Sequence, residues 1–307
     1  MVVSPLGRSP RCSALARAHG WDPVATAGSY ELFLLVVLPL PWPSEIASHT
    51  ALTGVAESLE AAALGRWRIQ ALVPAPAEAA TRVVLYRRHP QGPRDGYERF
   101  ETTYSAGGLT RAVESLLAGD SSSPGGTELL LCTHGSRDVC CGSLGASLWG
   151  EVADLLPLGT KAWRTSHTGG HRFAPTAITF PDGRFWAYLD GPVVRAILER
   201  SKSPADLAAH YRGSAAVPSA PLQLAEREVL VREGWAFTEG THSFESREDP
   251  DGTITASVTG ERPVGSRLSY EIVLSPSGTL PIPDCGRPLE EARKSEPRWS
   301  VVSVTRR

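Results

Sequence analysis

Residues 128–150 read ELLLCTHGSRDVCCGSLGASLWG, and this stretch holds three of the five cysteines in a chain of 307 residues. Its first part, Glu128–Cys132, is an apolar run of strand length. After the cysteines, five apolar side chains recur at helical spacing: Leu144, Leu148, Val152, Leu155 and Leu156. Ser143 precedes most of this helix as a candidate N-cap. The stretch therefore predicts a buried strand, a cysteine loop and a helix, as in an α/β unit.

The segment after this helix predicts the rest of the unit. The motif HTGGH in HTGGHRFAP begins at His167 and ends at His171. TAITF and FWAYLD alternate around PDGR, in which the pair DG is a strong hairpin signal. VVRAILERSK then predicts a closing helix. The order strand, loop, helix, loop, hairpin, helix is similar to that of a thioredoxin-like domain, with the cysteine loop where that fold carries its redox chemistry.

Two further regions flank this central unit, which is expected to span residues 126–217. Residues 1–120 alternate strand-like runs (LFLLVVLPL, RWRIQALVP, TRVVLYRR) with helical ones (ALTGVAESLEAAAL, GGLTRAVESLLAG), followed by the linker GDSSSPGGT at Gly119–Thr127. They predict an N-terminal α/β domain, compatible with a degenerate thioredoxin-like copy in a duplicated fold. Residues 218–307 predict a helix and a small β-rich appendage without a site.

Composition and charge exclude several classes of partner. Hydrophobic residues make up 41% of the chain and charged residues 21%, as in an ordinary soluble globular protein. The net charge of -2 lacks the basic excess of nucleic-acid-binding domains, so no nucleic acid is expected as a partner. LFLLVVLPL is far shorter than the ~20 residues of a membrane helix, so no membrane is expected either. The N-terminus shows no export signal, which predicts the cytoplasm, where cysteines stay reduced.

The cysteines and histidines of the central unit form a candidate metal site. Cys132 and Cys141 enclose eight residues. His167 and His171 stand four apart, so both rings can face one side of a helical turn. Two thiolates and two imidazoles suit either zinc or an iron–sulfur cluster. These four residues are the predicted ligands.

Neighbouring residues are expected to assist the predicted ligands. Gly169 and Gly170 allow unusual dihedrals and a close approach of bare backbone, whose N–H groups can bond to cluster sulfurs. Adjacent side chains diverge, so only one member of the pair Cys140-Cys141 is expected to ligate. Cys141 is favoured because the N-terminal end of the following helix stabilises a thiolate, with Cys140 as the open alternative.

Three other polar residues and two other cysteines lie outside the predicted ligand set. His134 follows Cys132 closely and is expected to support a ligand at best. Arg137 and Asp138 are expected to pair, to cap a turn or simply to be solvated. Cys12 and Cys285 stand alone in the sequence and are expected to be structural.

The motifs CTHGSRDVCCG and SHTGGHRFA resemble those of the sucrase/ferredoxin-like family, also called sucraseferredoxins. The pattern C-x8-C followed by G-G-H is matched by Cys132, Cys141 and Gly169-Gly170-His171. RCSALARAHG and HYRGSAAVP also resemble family segments. The resemblance implies a thioredoxin-like ferredoxin domain with a [2Fe–2S] cluster held by two cysteines and two histidines. Sucrose cleavage, which the family name suggests, finds no support, since no recognisable carboxylate pair stands in a glycosidase context.

The leading hypothesis is therefore an electron carrier or redox sensor that exchanges one electron with an unidentified donor or acceptor protein. Histidine ligation predicts a reduction potential above that of an all-cysteine ferredoxin and dependent on pH, because the ring N–H groups titrate. One alternative is a structural Cys2His2 zinc site, although zinc fingers prefer closer cysteine spacing. Another is a thiol oxidoreductase that uses Cys140 or Cys141, although the chain lacks the C-x-x-C arrangement in this loop.

Overall fold

Two sheets are present in the part of the chain that the computed structural model describes. The structure describes residues 11–62, 65–74, 81–88, 96–105, 107–120, 122–261, 265 and 267–307. Within these ranges the larger, mixed sheet has nine strands: β1 (Leu32–Val37), β2 (Trp67–Leu72), β3 (Thr81–Arg88), β4 (Tyr97–Tyr104), β5 (Glu128–Cys132), β6 (Lys161–Thr165), β7 (Ala177–Phe180), β8 (Arg184–Trp186) and β9 (Tyr211–Ser214). The protein is thus a mixed α/β structure, as predicted.

Six α-helices are present in the described part of the chain. They are α1 (Cys12–Ala18), α2 (Val55–Ala61), α3 (Leu109–Leu117), α4 (Ala146–Val152), α5 (Gly191–Glu199) and α6 (Ala220–Glu233). None of the helices within these ranges combines the length and the apolarity that a bilayer-spanning helix requires. The predicted helix ALTGVAESLEAAAL corresponds to α2 and a preceding 3₁₀ turn, and its last two residues lie outside the described ranges.

The larger sheet repeats one arrangement of four strands. Its order is β4-β3-β1-β2-β6-β5-β7-β8-β9. In the first half β2 runs parallel to β1, whereas β3 pairs antiparallel with β1 and β4 with β3. The second half repeats this pattern: β6 runs parallel to β5, whereas β7 pairs antiparallel with β5 and β8 with β7. The two halves join where β2 meets β6 antiparallel, at Leu72 and Thr165.

Both faces of the first half are covered, which explains its continuous apolar strand. All six residues of β1 are buried. Leu34 and Val36 belong to a core cluster that includes α2 and α3, whereas Phe33 and Leu35 belong to a cluster shared with the second half. Alternate residues of a strand face opposite sides of a sheet, so two cores require an uninterrupted apolar run.

Of the strands in the larger sheet, the sequence-based segmentation misses β4, β6 and β9. The linker GDSSSPGGT does run between α3 and β5 without helix or strand in its described residues, and Ser121 lies outside them. Because β6 pairs with β2, the regions on either side of this linker nevertheless share one sheet.

The C-terminal region forms a separate antiparallel sheet. Its strands follow the order β10 (Thr241–Glu248), β11 (Ile254–Glu261), β12 (Arg267–Ile282) and β13 (Lys294–Arg306). Ile254 and Ile272 of this sheet, Val229 of α6 and Leu131 of β5 are buried in one core cluster. The β-rich appendage is therefore packed on the second half of the larger sheet.

Candidate metal centre

The cysteine loop ends in a capped helical turn. Asp138 Oδ1 accepts hydrogen bonds from the backbone N–H groups of Cys140 (2.8 Å) and Cys141 (3.1 Å). A π turn over Cys141–Gly145 then leads into α4. The predicted N-cap, Ser143, lies inside this turn, so that prediction is wrong; Asp138 has the capping role. Both thiols therefore lie in the first turn, where the positive end of the helix dipole favours thiolates; at Cys141 the hydrogen bond with Cys132 and burial outweigh this effect and raise the pKa.

Two glycines let this helical turn pack against the end of β5. A Cβ atom on Gly145 would lie 1.9 Å from the carbonyl oxygen of Cys132. One on Gly142 would lie 2.4 Å from the Cα atom of Gly135. Side chains at these positions would separate the turn from the strand. Their absence brings Cys141 beside Cys132.

The structure brings three of the predicted ligands together. The Nδ1 atom of His167 lies 3.9 Å from Cys132 Sγ and 3.7 Å from Cys141 Sγ, and the three ligand atoms lie within 4.8 Å of one another. Both cysteines are fully buried. Burial opposes ionisation of Cys132, but hydrogen bonds with the Cys141 thiol and His167 hold its pKa well below the ordinary value. A thiolate is the form that binds a metal.

His167 is held through its backbone. Its N–H donates to Nδ1 of His134 (3.2 Å), and its carbonyl accepts from Arg68 and from Gln70 Nε2 (3.3 Å). Because Nδ1 of His134 accepts, its Nε2 carries the proton and donates to Pro43 (3.0 Å). Burial lowers the pKa of His134, consistent with a neutral ring. His134 therefore supports a ligand rather than binding a metal, and the strand β2 supplies two supports that sequence reasoning missed.

His171 faces a different set of groups through Nδ1. This atom lies 3.1 Å from Asp138 Oδ2 and 3.2 Å from Cys12 Sγ. The ring centroid is 6.2 Å from that of His167, and the side chain is 20% exposed. The fourth predicted ligand thus lies beside His167 but outside the group formed by Cys132, Cys141 and His167, and Nε2 is its ring nitrogen left free of these contacts.

Gly169 and Gly170 form a tight turn around Arg212. Both have positive φ, 81° and 65°, and a Cβ on Gly170 would lie 2.6 Å from the guanidinium of Arg212. Arg212 donates to the Gly169 carbonyl (3.1 Å) and to the carbonyl of Thr26 (2.7 Å). The glycines are thus required by this buried cation as well as by the turn.

Arg212 contributes positive charge close to the candidate centre. Burial, together with the charges of Arg172 and Arg68, lowers the pKa of Arg212 to about 9. Within the described residues its hydrogen-bond acceptors are uncharged oxygens of Thr26 and Gly169. A buried cation without a bonded carboxylate suits an anionic group nearby, such as a thiolate-ligated metal centre.

A second group of thiols lies next to this centre. The sulfur of Cys140 is 3.1 Å from that of Cys285 and 3.5 Å from that of Cys12, and Cys12 and Cys285 are 3.3 Å apart. Asp138 completes a set of four ligand atoms within 4.8 Å of one another. Cys12 and Cys285 therefore do not stand alone, contrary to the sequence-based expectation. Separations of 128 and 145 residues from Cys140 left no local signal of this proximity.

These features define a class of protein: a mixed α/β chain in which buried cysteines and a histidine turn form a site able to bind metal. The sucrase/ferredoxin-like family profile matches residues 23–213, which is more than half of the chain. The protein belongs to the sucrase/ferredoxin-like family. Comparisons with curated proteins and with solved structures found no match.

Proposed function

We propose that this chain is an iron–sulfur protein that binds a [2Fe–2S] cluster through Cys132, Cys141, His167 and His171 and serves in one-electron transfer or redox sensing. The observation that carries the proposal is the convergence of two buried sulfurs and a ring nitrogen at the family motif. When bound, the cluster accepts and releases a single electron.

The donor set suits this cofactor. Rieske-type centres hold one iron with two cysteines and the other with two histidines, so two residues of each kind form a complete ligand set. His171 would bind through Nε2, because Asp138 and Cys12 occupy the surroundings of Nδ1. A carboxylate on the second ring nitrogen fixes the tautomer and orientation of a ligating histidine.

The cysteine end and the histidine end of the site differ in their exposure to solvent. Fully buried Cys132 and Cys141 keep solvent from the sulfur end of the site. His167 is half-buried and His171 is 20% exposed, so the histidine end lies closer to the surface. We propose that electrons are exchanged with a partner protein through this histidine end. Buried Arg212 offsets the negative charge that two thiolates bring.

The proposed fold of the second half is thioredoxin-like. Support comes from the order of strand, cysteine turn, helix, strand, hairpin and helix that runs from β5 to α5. The first half repeats the same strand order in the sheet, which supports a duplicated origin.

The test begins with anaerobic purification, followed by iron, sulfide and zinc analysis and a visible spectrum. A brown protein with two irons and two labile sulfides bound by these four residues is expected. A colourless protein with a single zinc that Cys132 and His167 bind supports the alternative of a structural Cys2His2 site.

Substitution of the histidines separates ligation from general folding. His171→Cys and His167→Cys are expected to keep a cluster and to lower its potential toward that of all-cysteine ferredoxins, because thiolates make the cluster more negative. His171→Ala is expected to lose iron at least several-fold faster under a chelator. The exposed His19, replaced by alanine, is the matched control and should leave iron content unchanged. Equal iron retention in H171A and H19A contradicts ligation by His171.

A further inference from the structure

Three cysteines from distant parts of the chain meet beside the proposed cluster site. Cys12 begins α1, Cys140 lies in the capped turn before α4, and Cys285 lies in the loop between β12 and β13. Their sulfur atoms are separated by 3.1, 3.3 and 3.5 Å. Cys12 and Cys140 are fully buried, and Cys285 is half-buried.

These separations suit one mononuclear ion. With Zn–S bonds of about 2.3 Å, tetrahedral geometry places two sulfurs about 3.8 Å apart. The observed distances are slightly shorter, so a small outward movement of the side chains would seat an ion between them. A disulfide requires about 2.05 Å and could join only two of the three sulfurs. A [4Fe–4S] cluster carries its cysteines on different irons and would hold them farther apart.

A fourth donor is available in the same place. Asp138 Oδ1 is used by the backbone of Cys140 and Cys141, whereas Oδ2 contacts only His171 Nδ1 among these groups and keeps a lone pair for an ion. The hydroxyl of Ser13 donates to Cys140 Sγ at 3.2 Å, which stabilises a thiolate at that sulfur. Three sulfurs and a carboxylate oxygen make a four-coordinate, thiolate-rich set of the kind that zinc prefers.

We propose that Cys12, Cys140, Cys285 and Asp138 form a structural zinc site, separate from the cluster site and joined to it by the contact between Asp138 and His171. Zinc binding would release the protons of the thiols to solvent. The ion would fasten α1 and the β12–β13 loop to the cysteine turn. The family match ends before Cys285 and begins after Cys12, so this site lies partly outside the matched region.

The test is metal content in matched sets of variants, with protein purified anaerobically from zinc-supplemented cells. Wild type is expected to bind one zinc per chain in this site. Cys12→Ser and Cys285→Ser are each expected to reduce that zinc at least tenfold and to keep iron. The control Cys132→Ser is expected to show the reverse, losing iron and keeping zinc. Cobalt(II) offered to protein from which zinc has been removed should give the intense absorption of a tetrahedral thiolate complex in wild type and C132S, but not in C285S.

The outcomes distinguish this site from the proposed cluster. Zinc that persists in both C12S and C285S, or an absence of zinc in folded, reduced wild type, overturns the proposal. So does an intact mass two hydrogens lower than expected, with a Cys12–Cys140 crosslink in the peptide map. Circular dichroism checks folding. If C12S does not fold, the zinc content of C285S, whose substitution is at a half-buried position, and the cobalt spectrum of wild type decide whether the zinc site exists. Iron that is absent from wild type or retained in C132S, with zinc lost in C12S and C285S, leaves the zinc site standing and counts against the cluster.

Discussion

At Gly145 the helical turn that carries Cys141 contacts the carbonyl oxygen of Cys132, because no side chain stands between them. Replacement of Gly145 by alanine would place a methyl group 1.9 Å from that oxygen. We expect the turn to shift outward, with a loss of about 1–3 kcal/mol in the free energy of unfolding and a lower iron content. Chemical denaturation and iron analysis measure both.

Gly150 provides the matched control for this change. It lies in α4, and a Cβ there would meet no atom within 4 Å. Gly150→Ala is therefore expected to be neutral or to stabilise the protein by up to about 1 kcal/mol, because alanine is the better helix former. Equal iron content and stability in G145A and G150A would count against the packing account of the cysteine turn.

Arg212 is expected to tune the centre through its charge. Its guanidinium is buried beside the turn of Gly169 and Gly170, and the electrostatic interaction extends to Cys141. Arg212→Gln is expected to lower the reduction potential by roughly tens of millivolts, because reduction adds negative charge that the cation stabilises. Arg212→Lys keeps the charge and should shift the potential less. Redox titration of both variants checks this, and an unchanged potential in R212Q contradicts it.

At the scale of elements, β2 links the first half of the sheet to the histidine turn. Gln70 accepts hydrogen bonds from Thr165 (3.0 Å) and Ser166 (3.1 Å) and donates to the carbonyl of His167, which Arg68 also reaches. The N-terminal half thereby orients a proposed ligand without itself binding metal. This role depends on the contact between β2 and β6.

Arg68→Met tests this linkage. Loss of its donor to His167 is expected to speed iron release to a chelator several-fold, with thermal unfolding changed by only a few degrees. The exposed Arg66, replaced by methionine, is the control, since it packs over Tyr30 and makes no hydrogen bond to His167. Iron release at the same rate in R68M and R66M would show that the contact does not matter.

The elements also show what sequence patterns can predict. β1 is recognisable because burial on both faces demands an uninterrupted apolar run, and β5 and the β7–β8 hairpin carry equally local signals. β6 is not recognisable from sequence, because KAWRT is short and carries two charges. Its strand conformation depends on pairing with β5 and β2. Capping of a turn by Asp138 was one of the open alternatives, whereas the π turn was missed because the glycine contacts around it join separate segments.

At the candidate metal centre, too, local sequence patterns predict only part of the arrangement. The spacing of cysteines and histidines indicated four ligands, of which the fold groups Cys132, Cys141 and His167 and leaves His171 outside that group. Arg68, Gln70 and the meeting of Cys12 with Cys285 depend on packing between remote segments, and no periodicity or local motif reports such contacts.

At the scale of the whole molecule, the C-terminal region completes a core. Apolar residues of α6 are buried together with those of β5 and the second sheet; they include Leu222, Leu224, Val229 and Leu230. Burial of each such side chain contributes about 1.5–3 kcal/mol. Their sum is comparable with the roughly 5–15 kcal/mol by which a native protein is stable.

Removal of residues 218–307 is therefore expected to leave a chain without cooperative thermal unfolding and with exposed apolar surface that binds ANS. Calorimetry and dye fluorescence measure the two properties. A shortened chain that unfolds cooperatively at the temperature of the full-length protein would instead show that the first 217 residues fold by themselves.

Histidine ligation of the proposed cluster is tested most directly by pulsed EPR of the reduced protein grown with ¹⁵N-labelled histidine. Ligation by His167 and His171 predicts a one-electron-reduced [2Fe–2S] signal coupled to two distinct histidine nitrogens, with one coupling lost in His167→Cys and the other in His171→Cys. A cluster signal without histidine coupling, or no iron signal in intact protein prepared without air, would contradict it.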